Sequence, residues 1–290
     1  MNFTTAAALL ELCKTKGITI SQAMLDRETQ FLGKDTGTTI QQMARSYTIM
    51  KEAVHRALTE QITSMGGLIG GEAAKINQHR LTGKPVCGNL VAKAIAYAMG
   101  VLEVNASMGL IVAAPTAGSS GVIPGVFLTL QEEFGFTDEE MVDALFNAGA
   151  VGYLITRNAT VAGAEGGCQA EVGAASAMAA SAATQLMGGS PEQCLSAAGT
   201  AITNILGLVC DPIAGLVEAP CQKRNAMGAS NALVSAEITL AGVGNLIPFD
   251  EVVATMYAVG RSIPFELRET ALGGVAGTPT GCQLCQKIFG

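Results

Sequence analysis

The chain has 290 residues, of which 49% are hydrophobic and 14% charged, with no Trp and a formal net charge of −7 at pH 7. Such a length buries a large core in one domain or two. Lys and Arg form no cluster beyond Lys223-Arg224, so the chain lacks the electrostatic footprint of a nucleic-acid binder. Met1-Asn2-Phe3-Thr4-Thr5 places no basic region before its short apolar run. Without an export pattern the expected compartment is the cytoplasm, where cysteines serve as thiols or metal ligands rather than disulfides.

In chain order, residues 3–15 read as an amphipathic helix with Thr4 or Thr5 as cap and Gly17 past its end. A second helix is expected from Ser21. A longer one is expected over 38–64, capped by Thr38 or Thr39, with Ile40, Met43, Tyr47, Met50, Val54 and Leu58 at helical spacing. Residues 1–40 are read as a helical N-terminal scaffold. At Ser64-Met65-Gly66-Gly67-Leu68-Ile69-Gly70-Gly71-Glu72 the glycine pairs break any helix. They either turn backbone amides toward a ligand or form a tight loop packed under another helix. His55 and His79 are the only histidines.

After Cys87-Gly88-Asn89 a helix is expected to Val104, followed by an apolar run into a loop of small residues and hydroxyls, Pro115-Thr116-Ala117-Gly118-Ser119-Ser120-Gly121. This loop opens a helix at Pro124. Its amides and the Thr116, Ser119 and Ser120 hydroxyls form a seat for a carboxylate or phosphate; a plain turn with a cap is the structural alternative. No Lys-Ser or Lys-Thr follows the glycines, so it is not a nucleotide P-loop. Thr137-Asp138-Glu139-Glu140 caps a helix to Thr156. The uncharged stretches 172–191 and 193–210 are long enough to span a membrane. Their Ser and Thr content and the Gly188-Gly189-Ser190-Pro191 break make them buried helices, expected at 170–187 and 191–207. Thr239 to Pro248 reads as a connection, Asp250 as the cap of a helix to Arg261, and 270–290 as a flexible tail with two thiols. With few strand signals, the expected fold is mainly α: a single all-helical catalytic domain, 1–290, with Gly/Pro-rich loops converging on a metal site.

Cys168, Cys210 and Cys221 stand at backbone breaks: Gly166-Gly167 precedes the first, Asp211-Pro212 follows the second and Pro220 precedes the third. Their spacing is not that of a zinc ribbon and no His lies nearby. Buried thiols acting as small hydrophobes are the alternative reading, and that is the expectation for Cys13 and Cys194. Thiols at turns between rigid helices can converge, and thiolates select iron–sulfur clusters. Three thiolates on a four-iron cluster leave one iron as a Lewis acid suited to hydro-lyase chemistry. A fourth, from Cys282 or Cys285, closes it.

The chain resembles the α subunit of the two-subunit, iron–sulfur-dependent bacterial L-serine dehydratases. The resemblance is carried by Glu103-Val104-Asn105-Ala106-Ser107-Met108-Gly109, by Ala113 through Gly125, by Glu165-Gly166-Gly167-Cys168-Gln169-Ala170-Glu171-Val172-Gly173, and by Cys210-Asp211-Pro212 through Cys221-Gln222-Lys223-Arg224-Asn225. It covers the chain from about residue 40 onward. It implies a [4Fe-4S] cluster on Cys168, Cys210 and Cys221, with Cys282 as the tail ligand, and deamination of L-serine to pyruvate and ammonia. It also implies a separate β subunit, and no membrane partner. In the implied reaction the serine hydroxyl displaces the tail ligand and binds the open iron, and the carboxylate goes to the Pro115–Gly121 loop. A base removes the α-proton and aminoacrylate hydrolyses. Asn105, Pro115, Thr116, Gly118, Ser119, Ser120 and Gly121 are the expected substrate contacts. His79, Ser119 and Thr116 are the expected catalytic groups, with Glu72 or a β-subunit group as a rival base. A cysteine desulfidase, a pyridoxal-phosphate enzyme and a non-catalytic iron–sulfur subunit are the other readings. No Lys stands in a loop setting suited to a Schiff base.

Overall fold

Small side chains let helices pack closely, and the chain uses this throughout. A computed structural model describes residues 2–290. Thirteen α-helices carry the fold, and among the described residues there is no strand, only an isolated bridge between Cys210 and Arg268. The helices are α1 (Ala6–Lys16), α2 (Ile20–Asp26), α3 (Thr36–Thr59), α4 (Glu72–Thr82), α5 (Gly88–Ala106), α6 (Val122–Phe134), α7 (Asp138–Asn158), α8 (Gly163–Gly166), α9 (Ala174–Leu186), α10 (Pro191–Thr203), α11 (Cys221–Leu240), α12 (Phe249–Ser262) and α13 (Pro279–Phe289).

The expectation of a mainly α fold holds. Helix α9 is its axis: every residue from Ala174 to Thr184 is buried, and α6, α7, α10 and α11 pack around it. Helices of Ala and Ser can approach this closely because almost nothing projects from them. Gly121 shows the limit, since a Cβ there would lie 2.1 Å from the Ala98 carbonyl oxygen on α5. Among the described residues no helix is long and apolar enough to cross a membrane.

Several boundaries differ from expectation for local reasons. Helix α3 starts at Thr36 because the Asp35 carboxylate, rather than Thr38 or Thr39, accepts the Thr38 amide at 2.8 Å. Helix α2 starts at Ile20 behind a Thr19–Gln22 capping box. Helix α6 starts at Val122, so Pro124 sits within its first turn, where a missing amide costs nothing. Asp250 does not cap α12; its carboxylate accepts from the Ala6 and Ala7 amides at 2.8 and 3.1 Å and so caps α1. The tail is not irregular: Thr278 caps α13 and Pro279 opens it. Helices α4 and α11 go beyond the sequence expectations. Only Ala73 is buried along α4. The buried face of α11 mixes Ala226, Ala229 and Ala232 with Gln222, Asn225, Ser235 and Thr239, which blurs the apolar period.

Candidate metal centre

At one end of the bundle the segments after α5, after α7, before α11 and after α12 meet, each held by a backbone or side-chain tie. The Gln169 amide donates to the Leu208 carbonyl at 3.1 Å. The Cys210 amide donates to Leu267 O at 2.8 Å, and Glu269 N donates to Cys210 O at 2.7 Å. Gln169 also bridges Met256 O (2.8 Å) and the Gly207 amide (2.9 Å) with its side chain. These ties fix Cys168 at the entry to a π-helical turn (Gln169–Gly173) and Cys210 in an extended segment.

The Sγ atoms of Cys168 and Cys210 and a Glu171 carboxylate oxygen all lie within 4.8 Å of one another. Cys210 Sγ faces Glu171 Oε2 at 3.8 Å. The other Glu171 oxygen accepts from the Thr116 hydroxyl at 2.8 Å, and Thr116 and Ser119 share a contact of 3.1 Å. Space around this carboxylate depends on two glycines: a Cβ on Gly163 would lie 2.5 Å from Glu171 Oε2 and 3.2 Å from Cys210 Sγ, and one on Gly118 would lie 3.0 Å from Glu171 Oε1. Burial raises the Glu171 carboxyl above its usual range. Cys168 is held below the ordinary thiol value, first by the hydrogen bond from Cys210, while Cys210 is pushed far up by the same bond and by burial.

The first turn of α11 completes the surroundings. Cys221 is buried and pushed up to about 12, by burial first and then by the charges of Cys168 and Glu171. Arg224 donates to Cys168 Sγ at 3.6 Å and Val209 O at 2.9 Å, and pairs with Asp211 at 2.7 Å. Asn225 accepts from the Gly121 amide at 3.0 Å and donates to Gly118 O at 2.7 Å, pinning both ends of the hydroxyl loop. Gln222 donates to Glu103 at 2.8 Å and Glu72 at 3.3 Å. From one helical turn these residues reach the Cys168 turn, the Val209–Asp211 segment, the hydroxyl loop, α4 and α5.

The glycine pairs use their amides internally. Gly66 and Leu68 donate to Glu218 at 2.6 and 3.0 Å, Gly70 to Glu72 at 2.6 Å, and Gly71 to Glu103 at 3.1 Å. Of the two sequence readings of this loop, the packed one describes these amides. A cavity of about 300 Å³ lies beside it, lined in part by Glu72, Glu218 and Lys223. Glu103 is raised by burial. Glu72 is also pushed up by burial, but the Gly70 amide, its own amide and Gln222 outweigh this and bring it below the usual range.

The expected site residues separate into groups. Cys168, Cys210, Thr116, Ser119 and Gly118 surround Glu171, with Cys221 alongside. Ser120 is fully buried and donates to the Ala117 carbonyl at 2.7 Å; Pro115 and Gly121 flank the same loop. Asn105 lies in the last turn of α5. His79 is exposed in the last turn of α4, and Cys282 is exposed on the first turns of α13 with its thiol 3.9 Å from Ala276 O. Neither joins the thiol group among the described residues. Cys13 and Cys194 are buried in α1 and α10, as expected. Glu171, Asp211, Arg224 and Asn225 are the residues that sequence reasoning did not assign. All four stand in the cysteine motifs, three positions or fewer from Cys168, Cys210 or Cys221 except Asn225, which lies one turn into α11.

The donor set suits a thiophilic metal group: Cys168 and Cys210 meet Glu171 within 4.8 Å, Cys221 is buried on α11 outside that group, Arg224 stands beside Cys168, and glycines occupy positions where side chains would intrude.

A family model described as serine dehydratase alpha chain matches residues 15–276. The chain is 48% identical over 288 residues to a probable L-serine dehydratase, alpha chain, of Bacillus subtilis (strain 168), covering 99% of this chain and 96% of that relative. It is 45% identical over 288 residues to the L-serine dehydratase, alpha chain, of Peptoniphilus asaccharolyticus, covering 98% and 96%. Against the L-serine dehydratase of Streptomyces coelicolor it is 37% identical over 277 residues, covering 94% of this chain and 60% of that relative.

Proposed function

The chain belongs to the serine dehydratase alpha-chain family, and on that premise we propose that it deaminates L-serine to pyruvate and ammonia. The observation that carries the reading is the meeting of Cys168, Cys210 and Glu171 with the Thr116–Ser119 hydroxyls. Cys168, Cys210 and Cys221 would hold a [4Fe-4S] cluster, with Cys282 as a displaceable fourth ligand from the C-terminal segment, so that one iron would be open to substrate. When bound, the cluster supplies a Lewis acid that makes the substrate hydroxyl a better leaving group.

The rest falls to the chain's own groups. The Pro115–Gly121 loop, braced by Asn225, receives the substrate carboxylate, and Thr116 and Ser119 orient it. Asn105, in the last turn of α5, is retained as a substrate contact on the resemblance alone. Glu171 holds or accepts a proton at Oε2, and desolvation raises this carboxyl above its usual range, the direction a general base needs. On this reading Glu171 takes the role of base for which His79 and Glu72 stood as sequence candidates. Burial of the three thiols keeps water from their side of the site, and Glu171 stands half-buried at its edge. The names of the two alpha-chain relatives support a separate β subunit as partner.

The test is pyruvate release from L-serine by anaerobically purified chain with its β subunit, before and after air exposure. Activity that dies in air and returns with iron and sulfide supports the reading. Air-stable activity that borohydride abolishes would replace it with a pyridoxal-phosphate enzyme. Sulfide release from L-cysteine without turnover of L-serine would replace it with a desulfidase.

A further inference from the structure

Asp211 follows Cys210 directly, is 2% exposed, and uses its two carboxylate oxygens on two different parts of the molecule. One oxygen pairs with Arg224 at 2.7 Å, and Arg224 in turn donates to Cys168 Sγ at 3.6 Å. The other accepts the Val275 amide at 2.7 Å. Val275 belongs to the segment that leads into α13 and Cys282, and it is preceded by Gly274, whose φ is +60°. A Cβ at Gly274 would lie 2.1 Å from the same carboxylate oxygen. The turn is therefore moulded onto Asp211, with no room for a larger residue. Upstream, the segment is held by the Cys210–Arg268 bridge; α13 itself packs on the short turn at Ile213–Gly215 that follows Asp211.

We propose that Asp211 is a positioning residue that sets the thiol site and the C-terminal segment together, fixing Arg224 against Cys168 with one oxygen and seating the Gly274–Val275 turn with the other. A buried carboxylate shared between an ion pair on one oxygen and a backbone donor on the other couples the two, because Oδ1 has no hydrogen-bond donor to replace the Arg224 charge and Oδ2 has only the Val275 amide. The proposal rests on the proposed function for its consequence in turnover, but the coupling itself needs no turnover to be seen.

The experiment is hydrogen–deuterium exchange on the chain with its β subunit, read separately over 270–290 and over α9. Asp211→Ala and Gly274→Ala are each expected to speed exchange over 270–290 by about tenfold or more while α9 stays protected. Gly274→Ala pushes the turn and the carboxylate apart while leaving the chemistry of Asp211 intact. Asp211→Asn keeps an oxygen for Val275 and turns its amide donors on Arg224; it is expected to keep 270–290 protected while lowering kcat at unchanged KM. Unchanged exchange over 270–290 in both Asp211→Ala and Gly274→Ala overturns the proposal, whatever reaction the enzyme catalyses. So does an Asp211→Asn enzyme with wild-type kcat. Loss of α9 protection in Asp211→Ala would mark global unfolding, and Gly274→Ala then decides alone.

Discussion

Gln222 and Asn225 stand one turn apart at the start of α11, and each ties that turn to a different glycine loop. Gln222 donates to Glu103 and Glu72, which hold the Gly70–Gly71 amides, while Asn225 bonds both ends of the Gly118–Gly121 loop. Cys221 lies immediately before them. The two loops and a candidate ligand therefore share one rigid turn.

Asn225→Ala removes two hydrogen bonds to loop backbone and leaves the Gly121 amide buried without its acceptor. The expected cost is about 1–3 kcal/mol of stability, with a raised KM for L-serine because the loop that receives the carboxylate loses its brace. Denaturant midpoints and steady-state kinetics check both; an unchanged KM would separate this loop from the substrate.

Gly163→Ala places a Cβ 2.5 Å from Glu171 Oε2 and 3.2 Å from Cys210 Sγ. Neither atom belongs to a flexible surface chain, so both must move. The variant is expected to fold, by circular dichroism, and to retain iron poorly after anaerobic reconstitution. Iron content equal to that of the parent chain would show that the Glu171–Cys210 geometry is not needed for metal.

Glu171→Gln preserves shape but cannot hold a proton as a carboxylate does. The expected loss in kcat is roughly 10²–10⁴-fold, the range for removing a general base; His79→Asn is expected to stay within about twofold, since His79 is exposed on α4. Because burial raises Glu171, the acid limb of kcat/KM should lie above the ordinary Glu value of about 4.3 and vanish in Glu171→Gln. In the cluster-free chain the sign for stability is the reverse of that for a paired carboxylate. A raised carboxyl contributes stability below its unfolded value, and that stability is lost as pH rises through the raised one.

Thiol reactivity should divide by burial. Cys87 and Cys282 are exposed, whereas burial pushes Cys13 up to about 11 and Cys194 up to about 12. In the cluster-free chain at pH 8, iodoacetamide is expected to label Cys87 and Cys282 first and to spare Cys13 and Cys194 until unfolding. The stability these two neutral thiols contribute is present below about pH 9 and lost as pH rises toward their folded values. Early labelling of Cys194 by mass spectrometry would contradict its place in the core.

Composition and pattern decided the class of structure before any coordinates. Long Ala, Gly and Ser runs without charge can only be helices packed closely on one another, and α9 is such a helix, buried along its length. The three cysteines at backbone breaks were equally legible, because Gly and Pro mark turns whatever surrounds them. Helix α11 was hidden, since its buried face includes Gln222, Asn225, Ser235 and Thr239, and a polar residue at a core position has no periodic signature. Its partners explain it only in three dimensions: Asn225 meets Gly118 and Gly121 from across more than 100 residues of chain. The same holds for Glu171, one acidic residue among many until Gly163, Gly118, Thr116 and Cys210 close around it. Local chemistry fixes helices and turns. Which carboxylate stands beside which thiol is set by long-range packing, and burial then gives that carboxylate its raised affinity for a proton.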